Sequence, residues 1–413
     1  VTSLPTPTAP AVSPGEALPA RRRALLVAVM GLLVALGPAT MDLYLPAFPT
    51  VMADLGTTEA AVQLTLAATT LGFAVGQLVV GPLSDSLGRR RPLLVATGVH
   101  VAASLWVIAA PSVEWVMVGR FVQGLGAAGG GVVTMAMTRD LFAGDALGRF
   151  LARMALVTSL APIVAPSVGA LLLRVVDWRG IFAVIAAFGL VMTVAAALWL
   201  PETLPAERRA PGLAGARARY RVLLGDRAFL GTLAAGASVF TAMFAYLSSS
   251  SFLYQVDLGL GTQTYGALFA CNALGLTACA QVSARLMRVL PPWAVLSLWL
   301  ALMGGAGAGL VLAGRLGAPT WVVLVLVALV VAPVGGANPA VQVLALSPHG
   351  ERAGTAGSLL GAVNFGVAGL VSPLVGALGV SALSLGLVVL VATSCGQAAV
   401  HLVVRRTWVA APA

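Results

Sequence analysis

The stretch Gly81-Pro82-Leu83-Ser84-Asp85-Ser86-Leu87-Gly88-Arg89-Arg90-Arg91-Pro92 sets one acid and three arginines between two apolar runs, 60–82 and 93–111. Each run is about 20 residues long, which is what an α-helix needs to cross a hydrocarbon core roughly 30 Å thick. Two such runs joined by a short charged turn read as a helical hairpin with its tip in water. The glycines permit a tight turn and close helix approach. Asp85 among arginines can form a charge-assisted network or cap the amino end of a neighbouring helix.

Working outward from this turn, further apolar runs fall at 24–46, 114–137, 150–173, 180–200, 228–255, 264–287, 293–313, 320–346, 353–378 and 381–404. Gly379 is the only turn signal between the last two. The expected fold class is therefore an all-α membrane protein of twelve transmembrane helices in two bundles of six. Composition agrees: 59% of the 413 residues are hydrophobic and only 9% charged, too little polar surface for a soluble domain. The expected organisation is a disordered cytoplasmic tail over 1–23, a bundle over 24–200, a cytoplasmic linker over 201–227, a second bundle over 228–404 and a tail over 405–413. Arg21 to Arg23 followed by an apolar run resemble the start of a signal peptide. The run continues to about Leu45 without a small-residue cleavage site, so it reads as the first span.

All 24 basic residues are arginine, and the net charge is +10. In a soluble chain such a charge would suggest nucleic acid as a partner, but here the arginines lie between apolar runs and no nucleic acid is expected. With the amino terminus inside, both tails and the even-numbered connections hold 20 of the 24 arginines. Arg174, Arg179 and Arg315 fall on the other side and Arg120 within a span. The positive-inside rule then puts both termini in the cytoplasm of a multi-pass inner-membrane protein. Cys271 and Cys279 lie eight residues apart, about 12 Å along one helix, too far for a disulfide. His100, His349 and His401 have no metal-ligand spacing, so they read as lone polar residues and no metal is expected. No cofactor is expected either: no phosphate loop and no catalytic constellation occurs, and the chain does not read as an enzyme.

Within the spans, Arg120-Phe121-Val122-Gln123-Gly124-Leu125-Gly126 puts a charge where it costs about 2.5 kcal/mol or more. Such an arginine has a partner or snorkels to the nearer helix end, about 9 Å away. Asp42, in Met41-Asp42-Leu43-Tyr44-Leu45-Pro46, is, apart from Glu114 at the very first position of its run, the only carboxylate inside the first six spans and lies about 27 Å up its helix, at a depth comparable with Arg120. It reads as a functional acid or as a helix cap at the outer interface. In the second half, Tyr246, Tyr254, Asn272, Asn338 and Asn364, with Tyr44 from the first, offer hydrogen bonds to a cavity or to neighbouring helices.

The turn at 81–92 matches the G-x-L-[SA]-D-x-x-G-R-[RK] loop of the major facilitator superfamily, and Arg120 to Gly126 resemble the R-x-x-Q-G-x-G motif of its proton antiporters. Pro162, Pro166 and Gly169 resemble the bend of the antiporters' fifth helix, although alanines replace three of that motif's glycines. With the D-x-Y-L-P sequence at Asp42, the chain resembles the Bcr/CflA drug-resistance group over about residues 24–404. That group includes bicyclomycin and chloramphenicol/florfenicol exporters. The resemblance implies drug:proton antiport by alternating access, with Asp42 and Arg120 coupling protons. It also implies a cytoplasmic clasp of Gly81, Asp85, Gly88, Arg89, Arg90 and Asp140, and antiporter roles for Gln123 and Gly124.

Some relatives carry a second acid eight residues before the aspartate, where Val34 stands here. A single acid favours neutral substrates. One proton moving down 100 mV contributes about 2.3 kcal/mol and one pH unit adds about 1.4 kcal/mol, together a gradient of several hundredfold. The expected partners are a small neutral or amphipathic molecule, protons and membrane lipid, in a monomer. The competing readings are a nutrient symporter on the same fold and a membrane protein that transports nothing.

Overall fold

The computed structural model describes residues 14–15, 18–209, 220–348, 353–371 and 373–410, apart from the side chains of 145, 152, 155–163, 353 and 409–410. The expected tail over 1–23, the linker over 201–227, the side chain of Pro162 and the far tail 411–413 thus lie wholly or partly outside the described residues.

Among the described residues there are twelve long helices and no strand: α1 Ala20–Asp42, α2 Glu59–Leu87, α3 Arg90–Ile108, α4 Val113–Leu141, α5 Gly144–Leu172, α6 Trp178–Trp199, α7 Arg227–Phe252, α8 Thr262–Leu286, α9 Pro292–Leu316, α10 Thr320–Leu346, α11 Ala353–Val371 and α12 Ala382–Ala399. All of these except α5 belong to helical runs long and apolar enough to cross a membrane. α5 runs 29 residues beside them.

The two halves repeat each other's packing. α1 lies against α4, α5 and α6, as α7 lies against α10, α11 and α12. The pairs α2 with α4, α3 with α4 and α3 with α6 recur as α8 with α10, α9 with α10 and α9 with α12. The halves join through α2 against α11 and α5 against α8, two seams that the same six-helix shift interconverts.

The seam inside the first bundle explains its glycines. A Cβ on Gly72 would stand 2.0 Å from the Phe121 carbonyl oxygen, and one on Gly124 2.1 Å from that of Thr69. α2 and α4 therefore touch backbone to backbone, the close approach that small residues allow in membranes. Gly72→Val is expected to lower the folded, monodisperse fraction on size-exclusion chromatography and to reduce the thermal midpoint, because overpacking costs about 1–3 kcal/mol or more. Gly305→Ala, where nothing lies within 4 Å, is the neutral control.

Several boundaries differ from the sequence reading. α1 begins at Ala20, so Arg21 to Arg23 form its first turn rather than a tail. The first span does not end near residue 46. α1 breaks after Asp42 and the chain continues helically through Leu45–Ala47 and Phe48–Asp54. The physical cause is Pro46, which has no N–H to offer the Asp42 carbonyl four residues back. At the other end of the chain the helical path of α12 runs on through Val400–Val404 and Arg405–Ala410, into the expected tail.

Candidate functional site

At the arginine-rich end, the loop between α2 and α3 is a dense charge cluster. Gly88 has φ of +93°, a conformation that a residue with a side chain rarely adopts, and a Cβ there would meet Glu202 Oε2 at 2.6 Å. Past this turn Arg89 folds back. It donates from Nη1 to Asp85 Oδ1 at 2.5 Å and to Ser84 Oγ at 3.0 Å, and from Nε to Asp140 Oδ2 at 2.9 Å. Burial works against its charge, but Asp140 and Asp85 outweigh that and raise the guanidinium's pKa. Gly81 abuts Val132 of α4, and Arg90 reaches the Ala197 carbonyl at the end of α6.

Glu202, which the sequence reading left out of the cluster, accepts the N–H groups of Arg89 at 2.8 Å and Arg90 at 3.2 Å, and so caps α3. Thr203 donates to Asp140 Oδ2 at 2.9 Å. Burial is the largest influence on Glu202 and raises its pKa. The N–H groups of Leu204, Arg89 and Arg90 and the charge of Arg209 together bring it below the usual carboxylate value. A depressed acid stabilises the fold above its ordinary pKa, and that contribution is lost as pH falls through the folded value. Glu202→Gln is therefore expected to lower the thermal midpoint at pH 7 by the equivalent of about 1 kcal/mol or less, since the group is exposed and screened. The two proteins should converge as pH falls through the folded value, below the ordinary carboxylate range.

Deeper in the first bundle, the break after Asp42 leaves carbonyls at the end of α1 without helical partners. Arg120, fully buried on α4, takes one of them: its Nη1 donates to the Thr40 carbonyl at 2.8 Å and to Gln123 Oε1 at 2.7 Å. Its guanidinium also lies over the rings of Tyr44 at 4.9 Å and Phe182 at 5.5 Å. Snorkelling is thus excluded. Arg120 caps the negative end of α1 instead.

Asp42 is 5% exposed and stands twelve residues before the helical path ends at Asp54, so it is no cap at an outer interface. Among the described residues no ion pair joins Asp42 to Arg120 in this conformation, so the comparable depth read from the sequence does not by itself bring the two side chains together. Arg120 Nε and Nη2 are buried without hydrogen-bond partners among the described residues. Arg120 nonetheless holds the carbonyl of Thr40, two residues along the chain from Asp42.

Gly169 lets α5 lie on this break, for a Cβ there would stand 2.2 Å from the Leu43 carbonyl oxygen. Pro166 is buried one turn earlier, and α5 continues through it as one helix. Tyr44 is buried, 3.3 Å from Thr65 Oγ1, and packs on Phe48 and Phe182.

In the second bundle Asn272 donates to Tyr246 Oη at 3.1 Å and to Tyr254 Oη at 3.4 Å. Tyr265, absent from the sequence candidates, joins this group by packing on Tyr254 and Phe269 and through a 3.3 Å contact with Ser250. Asn338 and Asn364 do not belong to it. Asn338 is half-buried and eight residues from the end of α10, while Asn272 is fourteen from the end of α8, so their depths differ by about 9 Å. Asn364 is buried beside Gly236.

The bundles are tied together at the end opposite the arginines. Gln255 donates to the Pro46 carbonyl at 3.2 Å and Gln263 to that of Ala170 at 2.8 Å. Gln63 accepts the Gly376 N–H at 3.0 Å. At the arginine-rich end a cavity of about 500 Å³ lies between the bundles, lined by Phe73, Gln77, Arg139, Tyr220, Gln342 and Ser358 among others.

Two symmetry-related helical bundles, with polar groups buried inside each and a cavity between them at one end, define a membrane transporter. The chain belongs to the Major Facilitator Superfamily, whose family model matches residues 30–373. It is therefore a multi-pass transporter of small molecules and not an enzyme. It is 33% identical over 382 residues to the uncharacterized MFS-type transporter YdgK of Bacillus subtilis (strain 168), covering 92% of this chain and 95% of that one. It is 32% identical over 356 residues to a bicyclomycin resistance protein homolog of Haemophilus influenzae, covering 85% and 88%. A solved D-xylose-proton symporter superposes with a TM-score of 0.70 over 91% of this chain and 97% of that one, at 17% identity, a likeness of fold alone.

Proposed function

We propose that this protein exports small, neutral, amphipathic compounds in exchange for protons, in the manner of the Bcr/CflA group. The observation that carries this reading is Asp42, a carboxyl group only 5% exposed at a helix break and given no hydrogen bond by the described residues, two residues along the chain from the carbonyl held by Arg120, which keeps two donors unpartnered among the described residues. A charge with so little exposure to water and no donor is costly. The same charge is favoured where water or a guanidinium reaches it. A movement of the bundles that changes what faces Asp42 therefore changes whether it holds a proton.

The relatives named for bicyclomycin and multidrug resistance support export and this class of substrate. The second bundle offers what a neutral amphipathic molecule needs, namely aromatic faces from Tyr246, Tyr254, Tyr265 and Phe269 with a few hydrogen bonds from Asn272. The arginine-rich end is assigned to the cytoplasm by the positive-inside rule. The cavity there is then the entrance for substrate, and the ties through Gln63, Gln255 and Gln263 keep the outer side shut. Rocking of the two repeats about the central site would exchange these roles.

Inverted vesicles carrying the protein, acidified inside and loaded with a pH dye, test the proposal. Addition of chloramphenicol, florfenicol or another substrate from an antibiotic panel is expected to release lumenal protons. A symporter would not do so, and absence of release across the panel would reject antiport of this class.

A further inference from the structure

The mechanism above leaves a buried histidine unused. His100 lies on α3, fully buried, with Nε2 2.9 Å from Thr40 Oγ1. The single hydroxyl proton of Thr40 is committed to the Leu36 carbonyl at 2.6 Å, so Thr40 can only accept from the ring. His100 therefore carries its proton on Nε2 and donates it to Thr40. Its Nδ1 has no partner among the described residues and faces Gly189 of α6, where a Cβ would come within 2.7 Å.

From His100 the hydrogen bonds close into a ring. Ser104 donates to the His100 carbonyl at 2.7 Å and accepts from Gln123 Nε2 at 2.7 Å. Gln123 Oε1 accepts from Arg120 Nη1, and that same nitrogen donates to the carbonyl of Thr40, whose hydroxyl His100 holds. The ring joins α1, α3 and α4 around the end of α1, two residues from Asp42.

We propose that His100 is a positioning residue: by clasping Thr40 it closes this ring and keeps Arg120 bound to the α1 carbonyl and Gln123, away from Asp42. The proposal rests on the reading of Asp42 as the proton carrier. The charged and titratable groups around His100 are few. α1 ends in Asp42, Tyr44 follows at its break, and α4 presents Arg120. α2 carries its charges only near its ends, at Glu59 and Asp85, and α6 carries Arg179 at one end and faces His100 with Gly189. A second positive charge on the ring would face Arg120 with no acceptor for Nδ1–H, so His100 acts as a neutral donor and not as a second proton carrier. Opening the ring frees Arg120 to pair with Asp42, and an arginine brought within about 4–6 Å of a carboxylate favours its charged form by about one to three pH units.

The test reads Asp42 directly and needs no transported compound. In purified protein reconstituted in lipid, infrared difference titration follows the protonated carboxyl band that Asp42→Asn removes. His100→Leu is expected to move the midpoint of that band to lower pH by about one unit or more. His100→Gln, whose amide can donate where Nε2–H does, is expected to keep the native midpoint. Thr40→Val, which removes the accepting hydroxyl but keeps shape and carbonyl, is expected to reproduce the His100→Leu shift and guards against misfolding at position 100. An unmoved midpoint in both His100→Leu and Thr40→Val, or a shift in His100→Gln as large as in His100→Leu, overturns the proposal. Failure of the antiport reading would show in vesicle proton flux while leaving this band and its shifts intact, so the two can be told apart.

Discussion

Asp42→Asn, purified and reconstituted in liposomes under an imposed pH gradient and membrane potential, is expected to lose all concentrative transport while still binding substrate. Under 100 mV and one pH unit a single exchanged proton supplies about 3.7 kcal/mol, enough for a gradient of several hundredfold. The amide cannot release a proton, so the gradient should fall to unity, with at most passive exchange. The variant should fold. Asn has nearly the same shape, and the carboxyl it replaces makes no hydrogen bond among the described residues that would be lost. Substrate accumulation against its gradient in Asp42→Asn would move the coupling role elsewhere in the chain.

The second large effect is expected at Arg120. Arg120→Lys keeps the charge but not the planar fork, and it cannot serve the Thr40 carbonyl and Gln123 Oε1 while lying flat over Tyr44 and Phe182. Leaving a buried carbonyl or amide oxygen without its donor costs about 1–3 kcal/mol, and part of that cost should appear as a lower thermal midpoint. Transport should fall by at least tenfold at native expression level, because α1 loses its cap beside Asp42. A variant with native turnover and native melting would show that the charge alone matters and that the contacts to α1 do not.

The helices were legible because their signal is repeated and local. Each span is a long apolar run, and twelve such runs in 413 residues admit one class of fold. The clasp at 81–92 was also legible, because glycine, aspartate and arginine at fixed spacing carry specific backbone and charge chemistry. Glu202 and Thr203 were not, although Pro201-Glu202-Thr203 was visible at the start of the linker. They reach Arg89, Arg90 and Asp140 across more than sixty residues of chain, and no spacing within the linker records that. His100 was read as a lone polar residue for the same reason, since its partner Thr40 lies sixty positions away.

What the sequence determined by itself is therefore the solvent the chain lives in, the number of spans and the sidedness of its arginines, all of which follow from the cost of placing charge and polar backbone in hydrocarbon. The tertiary structure decided which buried polar groups meet. Asp42 and Arg120 lie at a comparable depth by sequence, yet Arg120 turns to the carbonyl that the break before Pro46 exposes, leaving Asp42 without a donor among the described residues. Depth along a helix follows from a count of residues, whereas the direction a side chain takes depends on neighbours brought together from elsewhere in the chain.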